Sequence, residues 1–128
     1  KFASSGGHLA EEKKALLKSL EDVQAMIGHM VGVAMASQED PKEIYKVGLN
    51  TSRLLMATGD LIIAWLLLRQ ADIAQNKLAD AGRDTEFYNG KIASAKFFVR
   101  SVLPHISVER AVVESETGEI MNIAEAAF

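Results

Sequence analysis

Helical periodicity runs through the whole chain. In a first helix expected over residues 8–36, Leu16, Leu20, Val23, Ile27, Met30 and Ala34 recur at alternating spacings of four and three. That heptad seam predicts packing at about +20° against a neighbouring helix. Glu11, Glu12, Lys13, Lys14, Lys18, Glu21 and Asp22 take the other positions of its first half. Gly28 and Gly32 stand four apart in its second half. Each costs about 1 kcal/mol relative to alanine, so close approach of another backbone is the expected compensation.

A second helix is expected over residues 42–80. Asp40 is a good N-cap, and Pro41 suits the first helical position, where its missing N–H costs nothing. With no breaker before Gly82, this helix would be roughly 58 Å long. Its ends are polar, but its middle, residues 54–68, is apolar on every side. A helix in an isolated bundle needs an apolar stripe only a little over ~100° wide. The neighbouring helices cover one flank, so the other calls for a second domain of the same polypeptide or a second subunit. Gly48, Ser52 and Gly59 share one side and would let such a neighbour come close. The same window carries Asp60, is flanked by Arg53 and Arg69, and is shorter than the ~20 apolar residues of a membrane span. It is therefore read as a buried core helix, with no transmembrane segment.

Gly82 tolerates the left-handed conformation that ends helices, and Asp84 or Thr85 is expected to cap the next one. In this third helix Tyr88, Ile92, Ala95, Val99, Val102 and Ile106 form one stripe, with Phe87, Ser94 and Phe98 beside it. Pro104 removes the bond to the Arg100 carbonyl, which predicts a kink or break, with the helix continuing through Val108, Val112 and Ser115. Thr117-Gly118 ends it, and the tail to Phe128 reads as a short amphipathic segment. The expected fold is all-α: an antiparallel helical bundle of three to four long helices, the third kinked or broken near Pro104, in one domain spanning residues 1–128.

Charge and composition narrow the function. The net charge is -3 and the basic residues form no stripe, which argues against a nucleic-acid partner. The absence of cysteine excludes disulfides and thiolate metal sites and fits a reducing, cytoplasmic setting. The sequence starts at Lys1 without an initiating Met or an apolar signal segment, as expected of an excised domain or a processed product.

No catalytic apparatus emerges from the side chains. A carboxylate-bridged metal bundle needs a Glu three residues before each His, but Ser5, Met26 and Val102 precede His8, His29 and His105. Asp60 is open to three readings: a desolvated general base, an acid paired with Lys91 or Arg100, or a group facing a wet crevice. Trp65, Phe87, Tyr88, Phe97 and Phe98 are read as packing residues or as the lining of an acyl pocket. Lys91, Lys96 and Arg100 form a solvated, ion-paired face or contact a CoA phosphate. No catalytic, cofactor-binding or metal-ligating residue is assigned. The packing or interface candidates are Leu61, Trp65, Leu66, Leu68, Tyr88, Ile92, Phe97 and Phe98. Aspartate at position 65 or 66 is expected to damage folding or association, and Lys18→Ala to be silent.

The run Phe87-Tyr88-x-Gly90-Lys91-x-Ala93-x-Ala95-Lys96-Phe97-Phe98, followed by Leu103-Pro104, resembles the signature of an extra C-terminal helical domain in a subfamily of flavin-dependent acyl-CoA dehydrogenases. The order of elements extends the resemblance over nearly the whole chain. It implies a C-terminal piece of a multidomain, homo-oligomeric enzyme that holds FAD and acyl-CoA in its preceding domains. There a glutamate removes the α-proton and the β-hydride passes to the flavin. The resemblance also implies that this piece packs on the catalytic core, helps shape subunit contacts and binds no flavin itself. No residue here matches the catalytic glutamate. Two other readings stand beside it: a self-contained interaction module that dimerises through its second helix, and a small enzyme or ligand carrier built on Asp60.

Overall fold

Local chemistry fixes most of the helix boundaries. The structure, a computed structural model, describes residues 7–128. The Asp40 carboxylate accepts the Lys42 backbone N–H at 3.0 Å, and Pro41 opens the 3-10 turn Pro41–Glu43 that feeds the second helix. Gly82 and Gly118, at φ of 51° and 73°, supply the left-handed residues at two chain reversals. The helices are α1 (Ala10–Ala36), α2 (Ile44–Lys77), α3 (Thr85–Ser101) and α4 (Pro104–Ser115). Short 3-10 turns lie between α1 and α2, between α2 and α3, and in the tail, while Val102 and Leu103 alone link α3 to α4; there is no strand among the described residues.

At two boundaries the structure decides between the expected alternatives. Asp84 occupies the cap position of α3, but its side chain makes no capping bond. Thr85 Oγ1 instead donates to the Gly82 carbonyl at 2.7 Å. At Pro104 the helix breaks and restarts rather than kinking onward. The N–H groups of Val102 and Leu103 both reach back to the Phe98 carbonyl, at 2.8 and 3.4 Å, and Pro104 then opens α4. Proline at the first turn of a helix leaves no bond unmade.

The inter-helix ion pairs and hydrogen bonds give the topology. Lys13 near the start of α1 meets Asp72 near the end of α2, so these two run antiparallel. Lys91 of α3 meets Gln70, and Arg53 of α2 meets Glu109 of α4. The broken rod α3–α4 therefore runs antiparallel to α2 and parallel to α1. The tail returns over the start of α2, where Gly118 lies against the Lys46 side chain and Lys42 reaches Asn122.

The core keeps the expected stripe of α3, where Ile92, Ala95 and Val99 are buried, and departs in part from the expected seam of α1. On α1 the buried residues are Leu16, Val23, Met26 and Met30, together with Glu12, Lys13, Ser19 and Asp22. Lys13 points to α2 and Asp22 to α4, so the buried face is centred between those two directions. Leu20 and Ile27, members of the expected seam, are exposed. Gly28 and Gly32 meet nothing: a Cβ added at either would find no atom within 4 Å, so no backbone packs there among the described residues. On α4 the break resets the stripe to Leu103, Ile106 and Val113, and Val108 is exposed.

On α2 the inward row is Ala57, Ala64, Leu68, Ala71 and Ala74. Alanine lets α1 and α3 approach α2 closely. The larger residues of residues 54–68 mostly stand outside that row, and Leu55, Met56, Ile62, Ile63, Trp65 and Leu66 are all exposed. The expectation of a buried core helix is therefore corrected: one side of α2 is core, and the opposite side is open. With its flanking turns, Pro41–Asp80 is also long and apolar enough, by length and composition, to cross a membrane. Its alanine row is nevertheless packed in the bundle.

Candidate interaction surface

The eight packing or interface candidates divide between core and surface. Leu68 is fully enclosed, at 0% exposure, and Ile92 is also buried. Leu61, Tyr88 and Phe98 are half-buried against the same core. Trp65, Leu66 and Phe97 lie outside it, at 40%, 44% and 68% exposure. Leu66 and Leu68 are two residues apart on one helix, so about 200° separates their directions. That geometry alone sends one inward and the other outward.

The outer flank carries some organisation of its own. The Arg69 guanidinium lies over the Trp65 ring, 5.1 Å from its centroid. Such a cation–π contact holds the guanidinium against the face of the indole. Between α2 and α3, Phe87 and Tyr88 meet edge-to-face at 5.6 Å, and Lys91 stands 5.4 Å from the Phe87 ring. These residues, with Gln70, Ile73 and Ala74, line an open apolar hollow of about 210 Å³. A second hollow, of about 290 Å³, is lined by Asn76, Lys77, Asp80, Ala81, Asp84 and Tyr88. Both are smaller than the ~300–1,000 Å³ of ordinary ligand pockets.

The other candidates do not converge on a site. Lys91 donates to Gln70 Oε1 at 3.3 Å, while Arg100 meets Glu12 at 3.4 Å on another helix. Neither pairs with Asp60, so the paired reading of that acid is corrected. Asp60 is partly exposed and makes no ion pair among the described residues. No three His, Asp or Glu side chains cluster there in a way that could hold a metal ion.

Sequence reasoning missed the buried polar junction of α1 and α4. Asp22, placed by its charge among the polar positions of α1, is fully buried. Its carboxylate accepts from Ser107 Oγ at 2.6 Å, from Arg110 Nη1 at 3.0 Å and from Lys18 Nζ. Burial pushes this carboxyl upward, but the hydrogen bonds from Lys18, Ser107 and Arg110 outweigh it and hold the group below its ordinary 3.8. Glu114 and then Asp22 hold the Arg110 guanidinium more firmly protonated. A signal was available: Ser19, Asp22 and Met26 follow at helical spacing, and Ser107 and Arg110 share a face of α4. The junction is structural: the Asp22 carboxylate that takes the Ser107 hydroxyl is fully buried and is held ionised by Lys18 and Arg110, which makes it a weak base.

What the described residues present is therefore an exposed apolar surface on the outer side of α2, where Leu55 reaches 69% exposure.

Comparison with known proteins gives a consistent result. The family described as Acetyl-CoA dehydrogenase C-terminal like matches residues 1–124. The broad-specificity linear acyl-CoA dehydrogenase FadE5 of Mycobacterium tuberculosis is 46% identical over 133 aligned residues, covering 99% of this chain and 22% of that protein. The 3-methylmercaptopropionyl-CoA dehydrogenase of Ruegeria pomeroyi is 32% identical over 87% of this chain and 16% of its own length. A butyryl-CoA dehydrogenase of Syntrophomonas wolfei is 38% identical over 56% of this chain and 12% of its own length. The chain thus spans less than a quarter of the length of these relatives.

Proposed function

Because the chain belongs to the Acetyl-CoA dehydrogenase C-terminal like family, we propose that it is a non-catalytic accessory domain of a larger, FAD-dependent acyl-CoA dehydrogenase. It packs on the catalytic domains of the same polypeptide and contributes to contacts between subunits. The observation that supports the packing role is the open side of α2. A soluble domain rarely leaves so many large apolar residues side by side without a partner. FAD and the acyl-CoA substrate belong to the catalytic domains, and no step of the dehydrogenation is assigned to a residue of this chain. The reading includes a cytoplasmic location, in line with a chain that carries no cysteine.

The experiment compares three preparations: the 128-residue chain, the complete enzyme, and that enzyme with this domain deleted. The chain alone should be colourless and inactive toward acyl-CoA. The complete enzyme should be yellow and active, and the deletion should lose soluble assembly together with activity. A chain that binds flavin by itself, or a deletion that assembles and turns over normally, would contradict the reading.

A further inference from the structure

A groove follows the contact between α2 and α3, at the edge of the open side of α2. Its α2 wall is Met56, Asp60, Ile63, Leu67, Gln70 and Ala74, at alternating spacings of four and three. Its α3 wall is Phe87, Lys91, Ser94, Phe98 and Ser101, at the same spacings. The bond from Lys91 to Gln70 joins the two walls, and the apolar hollow beside Phe87 and Tyr88 opens there. Leu67 and Phe98 lie deeper, half-buried against the core, while Met56, Ile63 and Phe87 are exposed. Walls with this spacing suit a further helix laid between them.

Charge sets the groove apart. Half-buried charges elsewhere in the described chain are mostly compensated. Asp72 has Lys13, Lys46 has Glu43, Glu109 has Arg53, and Arg110 has Glu114 and Asp22. Glu116 accepts the Gly118 N–H. Asp60 and Lys91 are half-buried too, but neither has an opposite charge beside it among the described residues. Lys91 has only the Gln70 amide and the Phe87 ring. Lys96 also lacks one, but it is turned about 140° from Lys91 around α3, away from the groove. Ten residues separate Asp60 from Gln70, so the two groove charges stand about 15 Å apart along α2, too far to neutralise each other.

We propose that a helix of the catalytic domains lies in this groove and brings a basic side chain to Asp60 and an acidic one, about ten residues away, to Lys91. The proposal rests on the docking role proposed above and adds the chemistry of the partner. An apolar surface laid over Met56, Ile63 and Phe87 takes water away from both charges. A purely apolar cover would strand them, at a large cost in free energy. Opposite charges at both positions remove that cost, and they fix the direction and register of the incoming helix.

Neutralising each charge in the complete enzyme tests this. Asp60→Leu and Lys91→Met remove a charge and leave an apolar side chain, and Lys96→Met is the control. Each groove variant should lower the temperature at which soluble assembly is lost by on the order of 4 °C, as when a buried pair loses one member. Lys96→Met should shift it by less than ~1 °C. In the isolated 128-residue chain both groove side chains reach water, so melting followed by circular dichroism should stay within ~2 °C of the unsubstituted chain. Sedimentation of that chain should give an unchanged mass. An enzyme that is as stable or more stable with Asp60→Leu or Lys91→Met overturns the proposal, because a cover without the opposite charge gains when an unpaired one is removed. An equal fall in the isolated chain also overturns it, by placing the effect inside the domain. So does a changed mass of the isolated chain, which would make a second copy the occupant. Leu66→Asp in the same enzyme reads docking separately: silent charge variants beside a disruptive Leu66→Asp remove the charge pairing and keep the docking, and a silent Leu66→Asp removes both.

Discussion

Replacing Asp22 with alanine is expected to lower the stability of the chain by about 3 kcal/mol, measured by urea unfolding at neutral pH. Removing one member of a buried, hydrogen-bonded ion pair typically costs about 3–5 kcal/mol. The lower end applies because Lys18 and Arg110 are 58% and 37% exposed and can recover water once the carboxylate is gone. Ser107 loses its acceptor, and α4 loses its polar tie to α1. Lys18→Ala, silent by the sequence reading, should now cost about 0.5–1 kcal/mol, as expected of an exposed partner.

The same junction predicts a pH dependence. The Asp22 carboxyl lies below its ordinary 3.8 in the folded chain, so the unfolded chain binds that proton more readily. Its stabilising contribution is complete above the unfolded value and is lost as the pH falls below 3.8 through the lower folded value. Asp22→Asn should therefore show a flatter fall in urea midpoint between neutral pH and the acid range than the unsubstituted chain. Parallel curves for the two proteins would mean that Asp22 is not the titrating group.

The second large effect separates Leu68 from Leu66. Leu68→Ala should cost about 2–5 kcal/mol in the isolated chain, because the side chain is fully enclosed and the alanines around it cannot move in to fill the cavity. Leu66→Asp should change the stability of the isolated chain by no more than about 0.5 kcal/mol, since the side chain faces water there. In the complete enzyme the order changes. A carboxylate buried at position 66 without a partner would disrupt assembly, so oligomer and soluble yield should fall while the domain itself still folds. Denaturant midpoints of the isolated chain and size-exclusion profiles of the enzyme read the two effects separately. Sequence alone treats the two leucines alike and expects aspartate at 66 to damage folding or association; only the direction each one takes from α2 separates the two outcomes.

That contrast marks where the sequence was informative. Punctuation was legible because it is local: Asp40 with Pro41, Gly82, Gly118 and Pro104 each act through their own backbone. The all-round apolarity of the middle of α2 was legible too, and the uncovered side it implies is present. What could not be read was which side faces inward. Hydrophobic size points to leucine, yet close packing of three helical rods selected the alanine row, and the bulkier residues were left outside. The polar junction escaped for a related reason. A charged residue at helical spacing is ordinarily solvated, and Asp22 is buried only because Ser107 and Arg110, far along the chain, arrive beside it. The break at 102–103 decides that meeting by resetting the face of α4, and spacing read through Pro104 as one continuous helix misses it.

The central claim is that other protein covers the outer side of α2 in the working enzyme. Carbene labelling read residue by residue by mass spectrometry tests it most directly, applied both to the dilute 128-residue chain and to the complete enzyme. Leu55, Ile62 and Leu66 should take label in the chain and lose most of it in the enzyme, while Leu68 stays unlabelled in both. Equal labelling of Leu55, Ile62 and Leu66 in the two preparations would show that nothing covers this side of α2.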